Sequence, residues 1–176
     1  MSESYNGPLY VWHQDEVVRG MTTNRTSSSV ENRFMSDLQT EVLDVLNSEN
    51  IDPLLVGSRI KPPKSIVAKL NRRGINPILD FYALQFVVEN RDIVNATEAI
   101  MQRWPMPEEF PWGLPTVRDG QNPYSSPDYS ATHINILTEG KIAEIKLLTP
   151  TQYEIERRTR STYEKNRKLG DARIQK

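Results

Sequence analysis

Residues 132–149 read THINILTEGKIAEIKLLT, two apolar runs divided by the dipeptide Glu139-Gly140. Both runs are rich in strand-forming residues, and a two-residue turn ending in glycine joins strands antiparallel, so the stretch predicts a β-hairpin. In its second strand, period-2 alternation puts Ile142, Glu144, Lys146 and Leu148 on one face and Ala143, Ile145 and Leu147 on the other. Glu144 therefore stands mid-sheet on a partly polar face, where an unpaired carboxylate is costly. It either pairs with a lysine along or across the sheet, or it belongs to a site.

Working outward from the hairpin, Thr149 can cap a helix, Pro150 suits its first position and Gln152 completes a capping box into YEIERRTRSTYEKNRK. Upstream, FYALQFVV (81–88) is a nearly continuous apolar run, as expected of a central strand covered on both faces. LLVGSRI (54–60) reads as a strand and SIVAKLNRR (65–73) as a helix stopped by Gly74. Another helix is expected from about Asp92 to Trp104, ended by Pro105 and the proline-rich run that follows. From Ser29 onward Val30, Phe34, Leu38, Val42 and Val45/Leu46 recur at helical spacing, an apolar stripe made to cover a sheet. The fold expected is α/β in content, a mixed sheet of about five strands flanked by helices, without internal repeats. Residues 1–29, ending in TTNRTSSS, read as a loop or linker ahead of one domain over 30–176.

The 176 residues with 37% hydrophobic content suffice for a single core. With 22 basic and 23 acidic side chains there is no global positive field to gather long nucleic acid or an anionic membrane, so phosphate-binding charge must be clustered locally. The absence of cysteine removes disulfides, thiolate zinc sites and cysteine nucleophiles, and His13 and His133 alone cannot build a multi-histidine cage. A metal would be a hard cation held by carboxylates and phosphates. No run of about 18 apolar residues marks a membrane span, and the N-terminal residues lack a secretory pattern, so no membrane partner is expected.

Three constellations carry chemistry. In RIKPPKSIVAK (59–69), Arg59 and Lys61 share one face of a strand end, and Ser65 and Lys69 share one face of the next helix, with Lys64 between them. Several preorganised cations match a polyphosphate better than one flexible lysine, although such a cluster can also be a solvated positive edge. Asp80, just before the apolar strand, and Glu144 are two carboxylates that could share one Mg²⁺ bridging substrate phosphates. In NPYSSPDYSATHINI (122–136), Tyr124 and Tyr129 offer flat faces for a base, and His133 lies on the strand beside that of Glu144. Taken singly, tyrosines at a loop edge usually cover a core, and a lone histidine is usually structural.

In order, RIKPPKSIVAK, DFYALQFVV, DYSATH and AEIKLLT resemble the synthetase domain of the RelA/SpoT family of (p)ppGpp synthetases, over roughly residues 35–165. The family's arginine, lysine, serine-isoleucine pair and second lysine are matched by Arg59, Lys61, Ser65-Ile66 and Lys69. Its strand-opening magnesium aspartate with an alanine three residues on is matched by Asp80 and Ala83. Its tyrosine and histidine before a strand are matched by Tyr129 and His133, and its catalytic glutamate by Glu144. The joint order is far more specific than any single motif.

The resemblance implies a nucleotidyltransferase-like mixed sheet, ATP as pyrophosphate donor, and Mg²⁺ on Asp80 and Glu144. It implies that the acceptor's 3′-hydroxyl attacks the β-phosphate of ATP and AMP leaves, with Glu144 orienting or deprotonating that hydroxyl. Arg59 would stack on the adenine with Arg91 on its other side, and Lys61, Ser65 and Lys69 would hold the phosphates. Tyr129 would stack on the acceptor base, His133 would lie near the acceptor phosphates, and Tyr124 and Lys146 would complete the acceptor site. Ser125 and Pro127 stand where the family has a lysine and an asparagine that read guanine, and Gln85, Lys146 and Leu148 replace an arginine, a glutamine and an arginine.

Those departures leave the acceptor open between adenine and guanine nucleotides, giving (p)ppApp or (p)ppGpp. A synthetase without an attached hydrolase resembles the family's toxin branch, so a growth-inhibitory protein acting in the cytoplasm, as part of a larger and delivered chain or alone, with an antitoxin or immunity partner, is expected. Two alternatives stay open: pyrophosphorylation of the tRNA 3′ end, kept alive by the basic run Arg157, Arg158, Arg160, Lys165, Arg167, Lys168, and a non-catalytic nucleotide-sensing domain.

Overall fold

Residues 29–61, 81–105, 116–118 and 129–160 are described by the computed structural model. Chain order gives α1 (Ser29–Ser48), β1 (Leu55–Ile60), β2 (Tyr82–Val87), a short 3-10 turn (Asn90–Asp92), α2 (Ile93–Arg103), β3 (Thr116–Arg118), β4 (Ala131–Thr138) and β5 (Lys141–Leu148). Residues 150–160 are helical and form α3. The expected helix at 65–73 and the segment 1–28 lie outside the described residues. Ser29, assigned to the linker, already belongs to α1.

The strands make one mixed sheet in the order β1-β2-β5-β4-β3. β1 runs antiparallel to β2, β4 to β5 and β3 to β4, while β2 and β5 are parallel. A parallel pair needs a long crossover, and α2 lies within the one that leads from β2 to the β4–β5 hairpin. The hairpin turn is the expected Glu139-Gly140, both residues in the left-handed region at φ 50° and 70°. Two left-handed centres give a turn whose twist matches the strands and which fixes the register, here Thr138 opposite Lys141. A slip of one residue would turn Glu144 into the core.

One face of the sheet is the core. Tyr82, Leu84 and Phe86 of β2, Ala143, Ile145 and Leu147 of β5, and Ile134 and Ile136 of β4 meet Phe34, Met35, Leu38, Val42 and Leu46 of α1 and Ala96 and Ile100 of α2. The α1 residues recur every three to four positions, so one stripe of the helix is buried. Val30, expected to begin that stripe, is 68% exposed because it lies in the first turn, before burial starts at Phe34. Phe34 and Tyr82 meet edge to face with ring centroids 4.9 Å apart, a geometry worth about 0.5–1.5 kcal/mol beyond area burial.

The opposite face departs from the expectation of a strand covered on both sides. Tyr82, Leu84 and Phe86 are fully buried, but Ala83 and Gln85 are only half-buried. α1 and α2 both pack on the first face, and among the described residues the second is closed at one end only, where Val87, Ala131 and Leu148 pack with Tyr129 and Tyr153 of α3. The half-open remainder carries the polar residues.

α3 is anchored by the expected capping box. Thr149 N–H donates to Gln152 Oε1 at 2.8 Å, Gln152 N–H donates to Thr149 Oγ1 at 3.3 Å, and Gln152 Nε2 donates to Ser130 Oγ at 2.8 Å. Thr149→Ala removes one side-chain acceptor at the helix start and is expected to cost about 1 kcal/mol. Urea unfolding should show this as a lower midpoint with an unchanged slope.

Candidate functional site

Strand register assembles the half-open face into rows. Arg59 of β1 is opposite Ala83 of β2, Ala83 is beside Glu144 of β5, and Glu144 is opposite Asn135 of β4. The next row joins Gly57, Gln85, Lys146, His133 and Thr116. Gly57 and Ala83 contribute almost no side chain, so a flat floor separates the arginine at the sheet edge from the carboxylate at its middle. Two strand spacings separate them, roughly 10 Å.

Glu144 has a side chain only 15% exposed, and that of His133 is 7% exposed. His133 Nδ1 lies 3.1 Å from Glu144 Oε2, a close approach without hydrogen-bond alignment. Its Nε2 lies 3.3 Å from Tyr129 Oη. Tyr129 itself is half-buried with its ring in the small cluster under α3. The sheet thus brings together Tyr129, His133 and Glu144, three residues singled out in the sequence.

Other sequence-predicted residues fall differently. Lys146 is on the same face, but its Nζ is 2.6 Å from Glu156 Oε1 of α3, with side chains 15% and 22% exposed. The ammonium is therefore held by a carboxylate rather than presented freely to an acceptor. Arg59 is exposed at the edge strand and makes no ion pair among the described residues. Lys61 donates its backbone N–H to Phe81 O at 2.8 Å, which extends the β1–β2 ladder past Ile60.

Arg91 lies in the 3-10 turn after β2, 85% exposed, with Nε 3.7 Å from Asp92 Oδ1. Arg59 faces Ala83 near the start of β2. About 13 Å of strand and a turn lie between that point and Arg91. Asp80, Lys64, Ser65, Lys69 and Tyr124 lie outside the described residues. A cavity of about 440 Å³ opens between α1 and the β1 edge with Gln39, Ser58 and Arg59 in its wall. The α1 residues in its wall put it on the helix side of the sheet, and Glu144 does not line it.

Asn135 was not singled out from the sequence, yet it is buried to 8% exposure directly opposite Glu144. The signal was present: His133 and Asn135 are two polar residues at period 2 in the otherwise apolar HINIL, and so share a face. Glu156 was missed for a different reason. Its partner is ten positions earlier, on another element, where no local periodicity links them.

Chemically, the face offers a carboxylate as proton acceptor or cation ligand, an imidazole against it, an amide opposite it and a guanidinium at the edge. Among the described residues no three histidine, cysteine, aspartate or glutamate side chains gather as a metal cage. None of the described helices is long and apolar enough to cross a membrane.

No protein-family model matches the chain, and no curated protein matches it in sequence. Solved structures do. The small alarmone synthetase 1 from Bacillus subtilis is similar at 19% identity over 81% of this chain and 82% of that one, with a TM-score of 0.49. The small alarmone synthetase 2 from Bacillus subtilis is similar at 17% identity over 94% and 93%, with a TM-score of 0.42. The Type VI effector Tas1, solved in complex with its immunity protein, is similar at 16% identity over 69% of this chain and 58% of its own, with a TM-score of 0.50. At that identity the likeness to the effector shows one thing, a shared fold, in which the chain spans somewhat over half of the effector's length.

Proposed function

We propose that this chain transfers the β,γ-pyrophosphate of ATP to the 3′-hydroxyl of a purine nucleotide, yielding (p)ppApp or (p)ppGpp and AMP. The observation that carries the reading is Glu144, a nearly buried carboxylate on the half-open face, in one row with Arg59 at the sheet edge. In the step, the acceptor O3′ forms a bond to the β-phosphorus and the bond from that phosphorus to the oxygen bridging it to the α-phosphate breaks. AMP departs with that oxygen, and Glu144 accepts the hydroxyl proton.

Placement and charge neutralisation dominate such a transfer, since the chemistry asks little covalent work of the protein. Arg59 holds the donor at the edge of the sheet, and the cations of residues 61–69 neutralise its phosphates. The donor chemistry fits Mg²⁺, which is normally kept by one or two carboxylates with phosphates and water completing its shell. Glu144, and with it Asp80, would hold that ion, which when bound offsets the negative charge of the phosphates. An immunity protein as partner is supported by the shared fold with an effector that was solved with one.

The acceptor is read as a purine nucleotide of either base, because Ser125 and Pro127 supply neither an ammonium nor an amide for guanine. Incubation with ATP, Mg²⁺ and each purine nucleotide, with products separated by chromatography, tests the reading. AMP formation coupled to one new 3′-pyrophosphorylated product is expected. If AMP accumulates with none of the nucleotides or with tRNA, the proposal fails. Calorimetric nucleotide binding without AMP would favour the sensing alternative, which the engagement of Lys146 by Glu156 makes concrete.

A further inference from the structure

Tyr129, His133 and Glu144 form a chain across the half-open face, with 3.3 Å from Oη to Nε2 and 3.1 Å from Nδ1 to Oε2. A neutral imidazole donates from one nitrogen and accepts at the other, whereas a carboxylate only accepts and a tyrosine hydroxyl does either. The contact with Glu144 is favourable when the proton is on Nδ1. Nε2 must then accept, and Tyr129 Oη–H is the donor that faces it. The polarity is consistent in this one direction, from Tyr129 through His133 to Glu144.

Packing fixes where the chain begins. The Tyr129 side chain is half-buried and packs against Val87, Ala131 and Leu148, which limits where its hydroxyl can lie. We propose that Tyr129 is a positioning residue: its hydroxyl locks the His133 ring as the Nδ1–H tautomer, and that N–H orients Glu144 Oε2. The role falls on the hydroxyl, whereas the resemblance implies base stacking by the ring. The Nδ1 approach to Glu144 is close but not aligned as a hydrogen bond.

The inference rests on the pyrophosphokinase reading for its effect on rate, but not for the tautomer. In a His13→Asn background only one imidazole remains. Nitrogen-15 spectra of that protein without nucleotide, at alkaline pH, report which ring nitrogen carries the proton. The Nδ1–H form is expected to dominate.

Tyr129→Phe keeps the ring packing and any stacking surface, and is expected to abolish that dominance. It is also expected to lower kcat for AMP release about tenfold or more with acceptor KM unchanged, the usual scale for removing a residue that orients a site group. An unchanged tautomer in Tyr129→Phe, or a raised acceptor KM with kcat intact, overturns the proposal. If the parent protein releases no AMP, the functional reading falls while the spectra still decide the hydrogen-bond chain.

Discussion

Glu144→Gln is expected to slow AMP release by about 10²- to 10⁴-fold, the range for losing a positioned proton acceptor. Glutamine preserves volume and hydrogen-bonding capacity on β5, so the fold should survive, with circular dichroism and the urea midpoint close to the parent's. What it removes is the negative charge that accepts the hydroxyl proton and that a hard cation would need as a ligand. Retention of more than a tenth of the parent rate would show that the proton leaves by another route and would remove Glu144 from the centre of the site. The substitution is informative because the neighbourhood is tight: Asn135 is opposite and His133 Nδ1 is 3.1 Å from Oε2, so an isosteric amide disturbs neither packing nor register.

The second large effect is on stability. Phe86→Ala is expected to destabilise the protein by about 3–5 kcal/mol, combining lost burial with the cavity left behind. Phe86 is fully buried on β2, paired on one side with Val56 and on the other with Leu147. Against a typical total of about 5–15 kcal/mol this brings the folded state close to the midpoint of unfolding. Urea titration should show the loss as a shifted midpoint, and the remaining folded fraction should keep its specific activity. A change below about 1 kcal/mol would mean that β2 is not the centre of the core.

These two positions also mark what the sequence made legible. The β4–β5 hairpin was readable because its signals are local: a glycine turn, two apolar runs, and a capping box immediately after them. The placement of Glu144 and His133 on adjoining strands followed from the same two-residue loop. β2 was misread as covered on both faces because six of the eight residues in FYALQFVV are large and apolar, which drowned the weaker signal of Ala83 and Gln85 at period 2. The tie from Lys146 to Glu156 depends on how α3 docks, which no pattern within either segment encodes.

The parallel pairing of β2 with β5 places Ala83 beside Glu144, residues adjacent in space and far apart along the chain. Such a contact must await closure of a long loop, whose entropy is lost before the pairing rewards it, so it forms late relative to the hairpin. The row from Arg59 to Glu144 is therefore complete only when β1 and β2 have joined the hairpin. A growing or partly unfolded chain holds the carboxylate and the guanidinium on separate pieces, and competence of the site coincides with completion of the sheet.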